Sequence, residues 1–171
     1  LDPVDFAPLR KRPKAIIGFS DITALLNAAQ VEAGLVTFHA PMARAPLTPF
    51  SRWHFDRVLT TVNPAGRLGR VAPPADVLVP TSGRIVTLVP GQATGPLVGG
   101  NLTLLQCLIG TRYFPDLSGT LLFIEDVGED LYSVDRMLAQ LRSVGALQKV
   151  AGVIVGQFTE LKRGTDDGAL G

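Results

Sequence analysis

The 171-residue chain has one cysteine, Cys107, so no internal disulfide is available, which fits a reducing compartment. Histidine is nearly as scarce. His39 and His54 are the only two, and nothing in the chain has zinc-ligand spacing. Charge is low as well, at 18% against roughly 25% for an average globular chain. The 16 Lys+Arg and 15 Asp+Glu leave a net charge of +1, without the basic stripe that polyanion binding requires. No apolar run reaches the roughly 18 residues of a membrane span. The opening LDPVDFAPLRKRPK lacks the apolar core of a signal peptide. With 46% hydrophobic residues, disorder is excluded too. The missing initial methionine, the polar ending KRGTDDGALG and the low charge read as a segment of a longer protein.

What is present alternates between strand-like and helix-like pattern. KAIIGF at 14–19 reads as a buried strand bounded by Pro13 and Ser20. In the following DITALLNAAQVEA, Ile22, Leu25, Leu26 and Ala29 recur at helical spacing, and Gly34 stops the helix. LVTFH is a second short strand. Strand, tight turn, helix, strand is a βαβ unit, which means a parallel sheet and an α/β fold. SRWHFDRVLTTV reads as a helix capped by Ser51. A proline- and glycine-rich stretch with short β-type runs (VLVP, RIVTLVP, PLVGG) then reads as a crossover. Asn101 opens a helix over NLTLLQCLIG. GTLLFIE is a strand ending in acid, LYSVDRMLAQLRSVG an amphipathic helix stopped by Gly145, and KVAGVIVGQF a last apolar strand.

Three places carry chemistry. In Gly18-Phe19-Ser20-Asp21, between strand and helix, the Ser20 hydroxyl can project above the sheet edge, with the next N–H facing an oxyanion. The alternative is a plain helix cap, and Ile22 is bulkier than a nucleophile-elbow pattern prefers. Glu125, in Glu125-Asp126-Val127-Gly128-Glu129-Asp130, closes a buried strand. It can orient a histidine as a triad acid does, or join Asp126 and Glu129 around a divalent cation. Glu129 and Asp130 also suit the start of the next helix. Gly99-Gly100-Asn101 lets backbone approach a ligand, or forms a tight turn and cap. His39 ends a strand near the same edge, whereas His54 reads as a surface or packing residue and Trp53 as a packing one.

Together, PKAIIGFSDITALL, GLVTFHAPM, LVGGNLTLLQCLIGT, LLFIEDVGEDLYSVDRMLAQLRSVGAL and VAGVIVGQF resemble the LD-carboxypeptidases, serine peptidases of bacterial cell-wall recycling whose relatives include the microcin immunity peptidases. The stretches occur in the family's order across most of 13–158. The resemblance implies that Ser20 is the nucleophile and that the main-chain N–H of Asp21 is an oxyanion-hole donor. It puts the triad acid on Glu125 in preference to Glu129. Gly99, Gly100, Asn101 and His39 are expected to line the substrate. No metal or cofactor is implied. The substrate would be a murein peptide cut at an L–D amide to release D-Ala in the cytoplasm, by a homodimer that engages neither nucleic acid nor membrane. Residues 1–70 would end an N-terminal nucleophile α/β domain with a parallel sheet, 71–95 would be the crossover, and 96–171 would belong to a smaller mixed α/β domain.

The sequence departs from the family in two respects. The family's Arg-Gly-Gly segment near the oxyanion hole is absent, and the triad histidine lies beyond the last strand, matching neither His39 nor His54. The segment alone is therefore expected to be nearly inactive. Other readings are a microcin-immunity-type amidase, a non-catalytic peptide-binding protein of the same fold, and a metal-dependent enzyme built on Glu125, Asp126 and Glu129.

Overall fold

The computed structural model describes residues 1–42, 44–69 and 85–162. Leu1–Met42 with Ala93–Gly171 form one compact unit and Ala43–Gln92 a second. The expected crossover at 71–95 and the VLVP run fall largely outside the described residues. Residues 85–90 of RIVTLVP are described and are not a strand, although β-branched residues favoured one.

The first unit opens with a short helix, α1 (Ala7–Lys11), which the sequence reading did not anticipate. β1 (Ile17–Gly18) pairs in parallel with β2 (Phe38–His39), with Gly18 opposite His39. Between them runs α2 (Ile22–Ala33), ended by Gly34 at φ 68°, so the expected βαβ unit is present. The buried face of α2 is not quite the predicted stripe. Leu26, Ala28 and Ala29 are buried, but so are Thr23 and Asn27, while Ile22 is 40% exposed. The two polar residues are spent on hydrogen bonds described below.

A three-stranded parallel sheet follows, in the order β3 (Leu97–Asn101), β4 (Leu121–Val127), β5 (Gly152–Thr159). Both connections carry a helix, α4 (Leu102–Cys107) and α5 (Leu131–Ser143). Leu102 and Leu105 of α4, Leu122 and Ile124 of β4, and Met137 and Leu141 of α5 close the main core. A fully buried leucine stabilises by about 1.5–3 kcal/mol, so this cluster fixes where the strand ends lie. Among the described residues no helix is long and apolar enough to cross a membrane. Together these elements make an α/β fold with parallel sheets, as expected.

The second unit contains α3 (Pro49–Thr60). Its cap is Thr48, whose Oγ1 accepts the Ser51 N–H at 3.1 Å. Ser51 therefore lies inside the first turn rather than at the cap, because Pro49 extends the helix N-terminally at no hydrogen-bond cost. His54 packs against Phe50 and Trp53, with ring centroids 4.4 and 4.6 Å away. It is a packing residue, as its pattern suggested.

Candidate active site

Ser20 sits between β1 and the start of α2 at φ +56°, a left-handed conformation that non-glycine residues rarely adopt. It is not the helix cap. Asp21 occupies that position, without a side-chain capping bond. The Ser20 hydroxyl takes part in no hydrogen bond among the described residues. Its carbonyl accepts the Thr23 N–H at 2.8 Å, which closes the turn. The bulk of Ile22 is accommodated at Gly18. A Cβ on Gly18 would collide with Ile22 Cγ2 and stand 2.5 Å from Ile22 Cβ. The small residue this turn needs is thus supplied on the strand side.

The Gly99-Gly100-Asn101 segment is the end of β3, beside that turn. Thr23 Oγ1 accepts the Asn101 N–H at 3.1 Å, and Asn27 Nδ2 donates to the Gly99 carbonyl at 3.1 Å. A Cβ on Gly100 would lie 2.7 Å from Thr23 Cγ2 and 3.2 Å from His39 Nδ1, so only glycine admits this approach. The Asn101 side chain is engaged at both its oxygen and its nitrogen. Its Oδ1 accepts the Leu104 N–H at 3.1 Å as the cap of α4, and its Nδ2 donates to Asp126 Oδ1 at 2.8 Å.

Glu125 lies opposite Asn101 in the parallel register. It does not end its strand, because β4 continues to Val127. On its other side the pairing with β5 skips between Ile124 and Asp126, a bulge beside the carboxylate. Such bulges re-aim side chains, and here both Glu125 and its neighbour Asp126 are buried. Asp126 accepts from Asn101, from the Thr103 N–H and hydroxyl, and from the Val127 N–H, at 2.8–3.0 Å. Those bonds occupy both its oxygens. Glu129 Oε1 accepts the Thr103 hydroxyl at 3.3 Å. Among the described residues no group of three or more His, Cys, Asp or Glu is arranged to hold a metal ion.

His39 faces Glu125. Its Nε2 is 3.6 Å from Glu125 Oε1. The ring is held edgewise between Phe19 and Phe123, at 5.4 and 5.0 Å between centroids. His39 Nδ1 and Glu125 Oε1 are buried with no hydrogen-bond partner among the described residues. Burial pushes the Glu125 carboxyl above its ordinary range and the Asp126 charge adds to this, while the nearby Asn101 amide pulls it partly back. Burial pushes the His39 imidazole down, so it is neutral around pH 7 and the contact is not an ion pair.

A chain of contacts within one unit therefore links Ser20, Asp21, His39, Gly99, Gly100, Asn101 and Glu125: the Ser20 turn meets Asn101 through Thr23, and Glu125 lies opposite Asn101 and beside His39, towards the C-terminal part of β4. Strand ends of this kind are where open α/β sheets bind ligands. Sequence reasoning missed Thr23 and Asn27, and read Asp126 as a possible cation ligand, whereas all three tie these pieces together by hydrogen bonds. The available signal was polar residues interrupting apolar faces.

Two family models match the chain: an LD-carboxypeptidase N-terminal domain over residues 1–40 and an LD-carboxypeptidase C-terminal domain over residues 94–170. A Bacillus subtilis protein named "Probable murein peptide carboxypeptidase" is 41% identical over 164 residues, covering 91% of this chain and 46% of that protein. The microcin C7 self-immunity protein of Escherichia coli is 27% identical over 175 residues, covering 90% of this chain and 51% of that protein. Among solved structures, the muramoyltetrapeptide carboxypeptidase of Oxalobacter formigenes is 35% identical with a TM-score of 0.74, covering 95% of this chain and 52% of that one. The chain spans about half the length of the curated relatives it matches. With both domain models matched in order and between them spanning more than half its residues, the chain belongs to the LD-carboxypeptidase family.

Proposed function

We propose that this chain carries the nucleophile and the acid of a serine carboxypeptidase that hydrolyses an L–D amide, releasing terminal D-Ala from a murein tetrapeptide during cytoplasmic cell-wall recycling. Ser20 Oγ attacks the carbonyl before the D-residue. The Asp21 N–H, at the start of α2, stabilises the resulting oxyanion. Glu125 orients a histidine that takes the serine proton and returns it to the departing amine. That histidine is neither His39 nor His54 and comes from outside these 171 residues, so the segment alone turns over little substrate. An acyl-enzyme then hydrolyses without metal or cofactor. Gly99, Gly100 and Asn101 line the substrate cleft, and the working protein is a homodimer.

The observation that carries this reading is the +56° φ of Ser20 at a strand-to-helix turn. Such strain costs of order 1–3 kcal/mol and persists where the surrounding fold enforces it, as at a nucleophile elbow. A fluorophosphonate probe and the murein tetrapeptide test it on the full-length protein. Labelling at Ser20, lost together with D-Ala release in Ser20→Ala, is the expected result. Persistent release by folded Ser20→Ala would end it.

A second reading keeps the same residues and changes the acyl group. Similarity to the microcin C7 self-immunity protein favours it. Turnover of a peptidyl-nucleotide in preference to the tetrapeptide would select it.

A further inference from the structure

We propose that His39 is a positioning residue for Glu125: its Nε2–H holds one carboxylate oxygen and leaves the other for the imidazole that Glu125 orients. The role rests on reading Glu125 as the triad acid, and the argument is geometric. His39 is fixed by its own strand, because Gly18 O accepts the Ala40 N–H and Ile16 O accepts the Phe38 N–H, each at 2.9 Å. Its ring plane is set by Phe19 and Phe123 on either side. Gly100 leaves the space into which Nδ1 points. These restraints direct Nε2 at Glu125 Oε1, a buried acceptor with no other partner among the described residues. The 3.6 Å separation is slightly longer than a hydrogen bond. Catalytic hydrogen bonds are often long in an empty site and tighten when it fills. A buried acceptor left unpaired is costly, which favours closing that gap.

The role also accounts for a half-buried histidine between aromatic rings where an apolar residue would pack as well. It replaces the substrate contact expected of His39 from sequence. The groups bearing on the pair are Asp126, whose charge opposes ionisation of Glu125, and the nearby Asn101 amide, which favours it. A neutral Nε2–H donor favours the carboxylate, as the second imidazole's orientation requires.

The test uses the full-length protein with His39→Gln and His39→Asn. Gln places its Nε2 near the histidine Nε2, whereas Asn reaches only as far as Nδ1. In His39→Asn the 13C-carboxyl midpoint of Glu125 should rise by about half a unit or more. Its kcat on the tetrapeptide should fall about 10–100-fold, with KM within about twofold. His39→Gln should stay within about threefold of wild type in kcat. A structural role alone would do the reverse at Glu125: water entering the vacated space would lower the midpoint. An unchanged or lowered midpoint in His39→Asn, or equal kcat losses in the two variants, overturns the proposal. If His39→Asn does not fold, 15N shifts of the wild-type imidazole decide. A neutral Nε2–H tautomer is expected, and an Nδ1–H tautomer overturns the role. Full activity of Glu125→Gln would remove the triad-acid reading, and the positioning role with it, even where the NMR coupling persisted.

Discussion

The Asn101 N–H donates to the Thr23 hydroxyl at 3.1 Å, joining two residues 78 positions apart. Thr23 also donates its own N–H to the Ser20 carbonyl at 2.8 Å. One residue therefore couples the strained serine turn, through its main chain, to the end of β3, through its hydroxyl, where Asn101 caps α4 and lies opposite Glu125. Thr23→Val keeps the shape and removes the acceptor, leaving a buried N–H unpaired. A loss of about 1–3 kcal/mol in urea unfolding is expected, with Thr23→Ser close to wild type. Equal stability of the Val and Ser variants would mean that the bond carries no weight.

Gly18 is a steric requirement set by Ile22. In Gly18→Ala the new Cβ meets Ile22 Cγ2 and Cβ, so the turn holding Ser20 has to shift. Overpacking of this kind costs typically about 1–3 kcal/mol. Ile22→Ala should tolerate well, because Ile22 is 40% exposed. Combining the two should restore only part of the loss, since the Cβ at position 22 alone already stands 2.5 Å away. A double-mutant cycle by thermal unfolding measures this, and strict additivity would contradict it.

Asp126 is predicted to act on both neighbours at once. Converting it to Asn turns one of its two accepting oxygens into a donating amide, so either the Asn101 and Val127 bonds or the two Thr103 bonds are lost. Bonds to a buried carboxylate are worth about 1.5–3 kcal/mol each, so Asp126→Asn should cost about 3 kcal/mol and speed amide exchange at the start of α4. Because the Asp126 charge raises the Glu125 carboxyl, the same variant should lower the Glu125 midpoint in a 13C titration. A midpoint that stays put would deny the electrostatic link.

The alternating order of the elements was legible in the sequence because strand and helix periods differ and glycines mark the stops, as at Gly34 and Gly145. The Ser20 turn and the Gly99-Gly100-Asn101 segment were also visible as local patterns. Their meeting was not, because it depends on α2 docking against β3 through Thr23 and Asn27, which no local period encodes. Helix periodicity put Ile22 inside α2 and left Thr23 and Asn27 out. The reverse holds because those two polar side chains meet the backbone of β3. Glu125 read as a strand terminus because the apolar run ends there. The strand continues to Val127 because Asp126 is satisfied by hydrogen bonds instead of solvent. The His39–Glu125 contact links β2 to β4 across two sheets, and nothing in the spacing of 39 and 125 points to it.

The opposed shifts of Glu125 and His39 give a stability profile whose sign can be worked out. Glu125 is raised when folded, so from about pH 4.5 upward the unfolded chain releases a proton that the folded state keeps. Stability from this group is fully present below that value and is lost as pH rises through the raised midpoint. His39 is lowered when folded, so below about pH 6.5 the unfolded chain takes up a proton that the folded state refuses. Its contribution is present above pH 6.5 and is lost as pH falls through the lowered midpoint. Urea unfolding from pH 4 to 8 should separate the two. Glu125→Gln should gain stability relative to wild type as pH rises, because it no longer buries a charge. His39→Gln should gain relative to wild type as pH falls below about 6.5. The difference curves should therefore slope in opposite directions, and parallel curves would show that burial does not shift these groups as argued.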